Sequence, residues 1–252
     1  MLAATLAAPS TMRNPRIYLP QPLSVESELQ LNDEAANHVA RVLRMKSGDP
    51  LVLFNGEGNS YQARVVNVDK RRVRVTIENL LASTADGNLK IMLGQTLSRG
   101  DRMDWAIQKA TEMGVTDIQP LFSERCEVKL NAERASKRVA HWQQVAISAC
   151  EQCGRNRVPR IGSPQAIENW IDDQDSDLKL VLHHRTDQAL DSHRKPDSVS
   201  LLIGPEGGLT QPEIERAQAA GFQATALGPR VLRTETAPIA ALSLIQYLWG
   251  DI

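Results

Sequence analysis

The chain is poor in cysteine. Cys126, Cys150 and Cys153 are the only three in 252 residues, an odd number that argues against a disulfide framework and for a reducing compartment. Cys150-Glu151-Gln152-Cys153 has the spacing of a redox or metal half-site, but it falls inside a helical pattern. No second Cys/His pair supplies the remaining ligands, so no metal is expected. No apolar run approaches the length of a membrane span, which leaves no membrane partner to expect. Residues 1–11 are alanine-rich but lack a charged start and are too short for a signal peptide. Residues 1–12 are therefore expected to form a disordered extension, and a cytoplasmic location is the default. A surplus of one charge sign is missing as well, with a net charge of −1.

Common catalytic signatures are also absent. There is no P-loop, no Gly-x-Gly-x-x-Gly fingerprint and no Gly-x-Ser-x-Gly elbow. A dinucleotide-dependent oxidoreductase is disfavoured on that ground. The remaining composition, 42% hydrophobic and 23% charged, is that of an ordinary globular protein of one large or two small domains.

The charges are distributed unevenly. Residues 13–81 carry 10 Lys/Arg against 8 Asp/Glu, residues 90–160 carry 12 against 8, and residues 161–200 carry 4 against 8. The basic excess fits a polyanionic partner without requiring one. From Arg16 to Leu81 short alternating runs separated by turns predict a small β-barrel, with one helix from Asp33 to Arg44. The segment 82–88 is small and polar and reads as a linker. After it, strands alternate with helices, which predicts an α/β domain over 89–252 with a mostly parallel sheet and helices on both faces. Helices are expected over 102–113 and 131–153, the second closed by Gly154, then over about 211–220 and 235–249. The acidic run Asp172–Asp177 reads as a solvated loop.

Two segments stand out. In Leu201-Leu202-Ile203-Gly204-Pro205-Glu206-Gly207-Gly208-Leu209-Thr210 and Ala226-Leu227-Gly228-Pro229-Arg230-Val231-Leu232-Arg233-Thr234-Glu235-Thr236-Ala237 an apolar run ends in glycine and proline, and a helical segment follows. Thr210 and Glu213 form a capping-box pair after the first, with Pro212 in the first turn. Two such turns at the carboxyl ends of parallel strands make a ligand crevice. Glu206 would repel a pyrophosphate, so an adenosine or a cationic sulfonium suits it better. His183-His184 ends another strand and reads either as a ligand or base or as a surface turn.

Those two segments, together with Ala149-Cys150-Glu151-Gln152-Cys153-Gly154-Arg155-Asn156, closely resemble the bacterial 16S ribosomal RNA uridine-N3 methyltransferases of the RsmE type, in the SPOUT class. The resemblance extends over nearly the whole chain from Arg13. It implies a PUA-like RNA-binding barrel over 13–82 and a SPOUT methyltransferase domain over 89–252 with a deep trefoil knot at its carboxyl end. It also implies a homodimer, S-adenosylmethionine as cofactor, and one uridine in the decoding region of 16S rRNA, within the small ribosomal subunit, as substrate. The cofactor residues implied are Leu182, His183, Gly204, Pro205, Glu206, Gly207, Leu227, Gly228, Val231, Leu232 and Arg233. Where the family reads His-Pro-Arg, this chain reads His183-His184-Arg185.

Uridine N3 must lose or share its proton before it can attack, which leaves negative charge on the ring. Arg233 is the expected stabiliser of that charge, with Glu151 or Glu206 as proton acceptor or as ligand-orienting groups. RNA contacts are expected from Arg16, Arg41, Arg44 and Lys46 in the first domain. In the second they are expected from Arg99, Arg102, Arg125, Arg155, Asn156 and Arg157. Two other readings remain: a SPOUT enzyme acting on a ribose 2′-hydroxyl, and a non-catalytic RNA-binding ribosome assembly factor.

Overall fold

The structure, a computed structural model, describes residues 14–69, 72–82, 87–183, 186, 190 and 195–252. The amino-terminal extension, His184 and most of the 82–88 linker lie outside them. The chain divides into two compact units between residues 83 and 84.

In the first unit, β1 (Arg16–Tyr18), β2 (Glu28–Gln30), β3 (Pro50–Phe54), β4 (Ser60–Asp69) and β5 (Arg72–Leu81) form one sheet in the order β1-β3-β4-β5-β2. Strand β1 runs parallel to β3 and the other ladders are antiparallel. Alternation buries Ala63 and Val65 against Ile77 and Val75, their register partners. Among the described residues, no ladder joins β1 to β2.

The predicted helix over 33–44 is interrupted. Helix α1 (Asp33–Asn37), capped by the Asn32 side chain, gives way to a π-helical turn at His38–Val42, where Leu43 N–H reaches back to the His38 carbonyl. The extra residue rotates the downstream side chains by about 100°. Leu43 and Val42 are thereby turned outward, at 36% and 62% exposure, while Met45 takes the buried place beside Val39. Arg44 adopts φ 54, a left-handed conformation uncommon for a side chain of its size. Arg41 and Arg44 therefore do not share a helix face, contrary to the regular-helix expectation.

The second unit contains β6 (Lys90–Thr96), α2 (Arg102–Glu112), β7 (Asp117–Phe122), α3 (Ala132–Cys153), β8 (Arg160–Ile161), β9 (Gln165–Ala166) and α4 (Ile167–Asp172). It continues with β10 (Leu178–Leu182), β11 (Ser198–Ile203), α5 (Gln211–Ala219), β12 (Gln223–Thr225) and α6 (Thr236–Trp249). Strand order is β12-β10-β11-β6-β7-β8, with β9 also on β7, and every ladder is parallel. Both faces are covered. Leu180, Leu201 and Ile203 pack with α2, α3 and α6, while Val181 and Leu202 pack with α4 and α5. That is why the strands read as continuous apolar runs rather than alternating ones. Gly94, mid-strand in β6, lets the Trp170 ring lie flush on the sheet; a Cβ there would stand 2.6 Å from the ring.

Helix α3 begins after Asn131, whose side chain accepts from Arg134 N–H, and stops at Gly154 with φ 98. The acidic run departs from expectation. Asp172, Asp173, Asp175 and Asp177 are exposed, but Gln174 and Ser176 between them are buried. Ser200 joins those two in a hydrogen-bonded cluster, and Asp177 accepts from the Asp197 and Ser198 amides at the start of β11.

Candidate functional site

The carboxyl ends of β10, β11 and β12 open into one cleft of about 680 Å³. Parallel strands all end on the same side, so the turns that leave them converge there. Leu182 and His183 come from β10 and the residue after it. Gly204, Pro205, Glu206 and Gly207 follow β11, and Leu227, Gly228, Val231, Leu232 and Arg233 follow β12. Every residue that the sequence assigned to the cofactor thus lines this cleft. Positive φ values at Gly208 (70°) and Gly228 (89°) occur in the two turns, where glycine has the needed freedom. Gly204 is required by space instead, because a Cβ there would stand 3.0 Å from the Leu209 side chain and 3.1 Å from its amide nitrogen.

Hydrogen bonds bind the turns to one another. Thr234 donates to the Gly204 carbonyl at 2.9 Å and accepts from buried Gln95 on β6 at 3.3 Å. The His183 amide donates to Thr225 O, which joins the ends of β10 and β12. Helix α5 starts with the expected capping box, in which the Glu213 carboxylate accepts from Thr210 N–H at 2.7 Å.

A wider groove of about 1010 Å³ has walls that include Arg99, Arg102, Trp105, Arg125, Glu127, Glu206, Gly207 and Glu235. It shares Arg102, Arg125, Glu206, Gly207 and Glu235 with the cleft. Its three arginines are all engaged. Arg102 pairs with Glu206 at 2.7 Å, Arg99 with Glu127 at 2.9 Å, and Arg125 donates to the Gly207 carbonyl at 3.0 Å. The Glu206 hydrogen bond is the largest influence on Arg102 and raises its pKa above the ordinary arginine range. Arg233 differs. It is exposed on the rim of the cleft, and its guanidinium has no partner among the described residues.

The other sequence-assigned residues lie elsewhere. Helix α3 runs away from the carboxyl ends, so Glu151, Arg155, Asn156 and Arg157 fall at the amino ends of the strands, on the opposite side of the sheet from the cleft. Within one chain Glu151 does not meet Arg233 and Glu206. Arg155 was expected to contact RNA, but its guanidinium donates to Thr111 O and Val115 O, beside the end of α2. Asn156 is 2% exposed, and Arg157 is exposed. In the first unit, Arg41, Arg44 and Lys46 are exposed around the π-helical turn, whereas Arg16 is half-buried with its guanidinium 4.8 Å from the centre of the Phe54 ring.

Sequence reasoning missed several lining residues. Gln211 and Thr225 extend the cleft beyond the motifs, and Leu209, Thr234 and Glu235 line it from within them although they were not assigned to the cofactor. Thr234 and Glu235 belong to the second motif and were legible in principle. Gln95, which braces Thr234 from another strand without lining the cleft, was not.

Comparison with known proteins bears on this site. A family model described as an RNA methyltransferase domain matches residues 85–246, and an RNA methyltransferase PUA domain matches residues 31–78. The ribosomal RNA small subunit methyltransferase E of Buchnera aphidicola is 33% identical over 98% of this chain and 98% of its own length. A Legionella pneumophila protein solved in complex with the bound cofactor SAM is 41% identical, covers 96% of this chain and 100% of its own, and superposes with a TM-score of 0.93. The Neisseria gonorrhoeae ribosomal RNA small subunit methyltransferase E bound to S-adenosyl methionine is 42% identical over 95% of this chain and 100% of its own, with a TM-score of 0.90. The cleft at the strand ends, the two-unit organisation and these full-length likenesses together place the chain in the ribosomal RNA small subunit methyltransferase E family.

Proposed function

We propose that the protein transfers a methyl group from S-adenosylmethionine to N3 of one uridine in the decoding region of 16S rRNA, acting on the small ribosomal subunit. The observation that carries this reading is the convergence of both glycine turns on one cleft with an unpaired arginine at its rim. The cleft residues fit the cofactor. About 680 Å³ is within the usual range for a small-molecule site, and Leu182, Ile203, Leu209 and Leu227 offer apolar walls for a purine. Glu206 and Glu235 offer negative charge near a sulfonium. When bound, S-adenosylmethionine supplies an electrophilic methyl group and needs no metal.

The chain's own residues supply the rest. Arg233 holds its guanidinium against the ring oxygens as N3 gives up its proton, stabilising charge that is absent from the resting base. Of the two candidate carboxylates, Glu206 lies in the same chain's cleft and is held by Arg102, so it orients the site and accepts a proton only by releasing that arginine. Glu151 could serve only from a second copy of the chain. The turns exclude water and fix donor against acceptor.

A homodimer is part of the reading. Its support is the outward stripe of α6, where Leu244 and Tyr247 are 42% and 71% exposed on a helix that is apolar nearly all round. A trefoil knot is part of it too. Its support is the return path: β12 lies at the sheet edge beside β10, yet Thr234 reaches Gln95 on β6 and α6 packs in the core cluster with α2. The segment from 226 to 235 therefore crosses the ends of β10 and β11. A cytoplasmic location follows from the substrate.

The test is incubation of purified protein with methyl-labelled donor and undermethylated small subunits, followed by nucleoside mass spectrometry. N3-methyluridine at one decoding-region position is the expected product. Ribose methylation, or donor binding without transfer, would refute the reading.

A further inference from the structure

Glu213 is a carboxylate only 5% exposed, on the first turn of α5. Helix capping accounts for one of its oxygens: Oε2 accepts from the Thr210 amide at 2.7 Å and from the Thr210 hydroxyl at 3.1 Å. The other oxygen serves no helix. Oε1 accepts from the Glu124 amide at 2.9 Å, in the connection between β7 and α3. The next residue of that connection is Arg125, whose guanidinium donates to the Gly207 carbonyl at 3.0 Å. The Arg125 stem also lies against Gly207, 3.4 Å from where a Cβ would stand. One buried carboxylate thus ties together the foot of the first glycine turn and the segment that crosses its tip. Two of its three partners are main-chain amides fixed in place, so the tie holds geometry rather than merely balancing charge.

We propose that Glu213 is a positioning residue for the methyl donor, locking the β7–α3 connection to the first glycine turn so that Arg125 and the main chain of 204–208 keep one shape. The proposal rests on the reading of the cleft as the donor site. It assigns Glu213 a task that its place in a capping box does not require.

The test is calorimetric titration of the full-length protein with S-adenosylmethionine, alongside thermal unfolding. Glu213→Gln and Glu213→Ala should weaken donor binding by about tenfold or more, the scale of losing a charge-assisted hydrogen bond. Thr210→Ala keeps both main-chain bonds to the carboxylate. It should lower Tm by roughly 2–4 °C and leave donor affinity within about twofold. The effects of Glu213→Ala and Arg125→Ala should be non-additive, because each breaks the same tie. Wild-type donor affinity in both Glu213 variants overturns the proposal, as does strict additivity with Arg125. Gly228→Val separates this from a failure of the underlying reading. If that change in the second turn leaves donor binding intact, the donor lies elsewhere and both readings fall; if it abolishes binding while the Glu213 variants bind normally, only the positioning role is lost.

Discussion

Removal of the Arg233 guanidinium tests the chemistry most directly. The side chain is exposed and has no partner among the described residues, so Arg233→Ala leaves no buried group unsatisfied. Folding should change by less than about 0.5 kcal/mol, the usual range for a free surface position. Catalysis should change far more. If the guanidinium meets charge that develops only as N3 ionises, its loss costs about 3–4 kcal/mol, roughly a hundred- to a thousandfold in kcat. Arg233→Lys should recover only part of this, since an ammonium keeps the charge but not the planar fork. The pH dependence has a definite sign. The arginine favours the ionised base, so without it the base titrates higher and the variant's deficit should shrink as pH rises. Single-turnover methyl transfer to undermethylated small subunits, measured across neutral to alkaline pH with saturating donor, reads both effects. A fall in kcat of less than about threefold, or a deficit constant with pH, would refute the assignment.

Four further outcomes are expected. Gly94→Ala should cost about 1–3 kcal/mol in urea unfolding at unchanged m-value, because the new methyl meets the Trp170 ring at 2.6 Å. Arg155→Ala should lose about 1–3 kcal/mol of stability, since it strips donors from Thr111 O and Val115 O. The salt dependence of subunit binding should stay the same; a shallower slope would restore Arg155 as an RNA contact. Combined alanine substitution of Arg41, Arg44 and Lys46 should flatten the log–log salt dependence by about 2, if each neutralises a phosphate. Burial, reinforced by the charges of Glu206 and Glu127, raises the Cys126 thiol above its ordinary range. Its alkylation should therefore be slow at neutral pH and keep accelerating beyond the pH at which an exposed cysteine levels off; an early plateau would contradict this.

Local signals carried much of the architecture. Asn131 and Gly154 bracket α3 because capping and left-handed termination are short-range events that depend on the residues themselves. The glycine turns were readable for a related reason. Alternating strands and helices force a parallel sheet, and a parallel sheet puts all its strand ends on one side. The failures had longer-range causes. The break after α1 arises because Val39 and Met45 must both be buried, which a regular helix does not allow. Gln174 and Ser176 sit among aspartates in sequence, but Ser200 on β11 draws them inside. Arg155 looked like an exposed cation, until the fold brought the Thr111 and Val115 carbonyls within its reach.

The order of residues was therefore enough to indicate the alternating domain and its two glycine turns, because glycine, proline and strand periodicity act within a few positions of themselves, and the resemblance carried by its motifs added the family and part of the cleft lining. Tertiary structure alone decided which charges are free. It spent Arg102, Arg125 and Arg155 on internal acceptors, left Arg233 open at the rim, and carried Glu151 to the far side of the sheet. Electrostatic availability depends on what the fold brings within about 3 Å, and partners that close can be any distance apart along the chain.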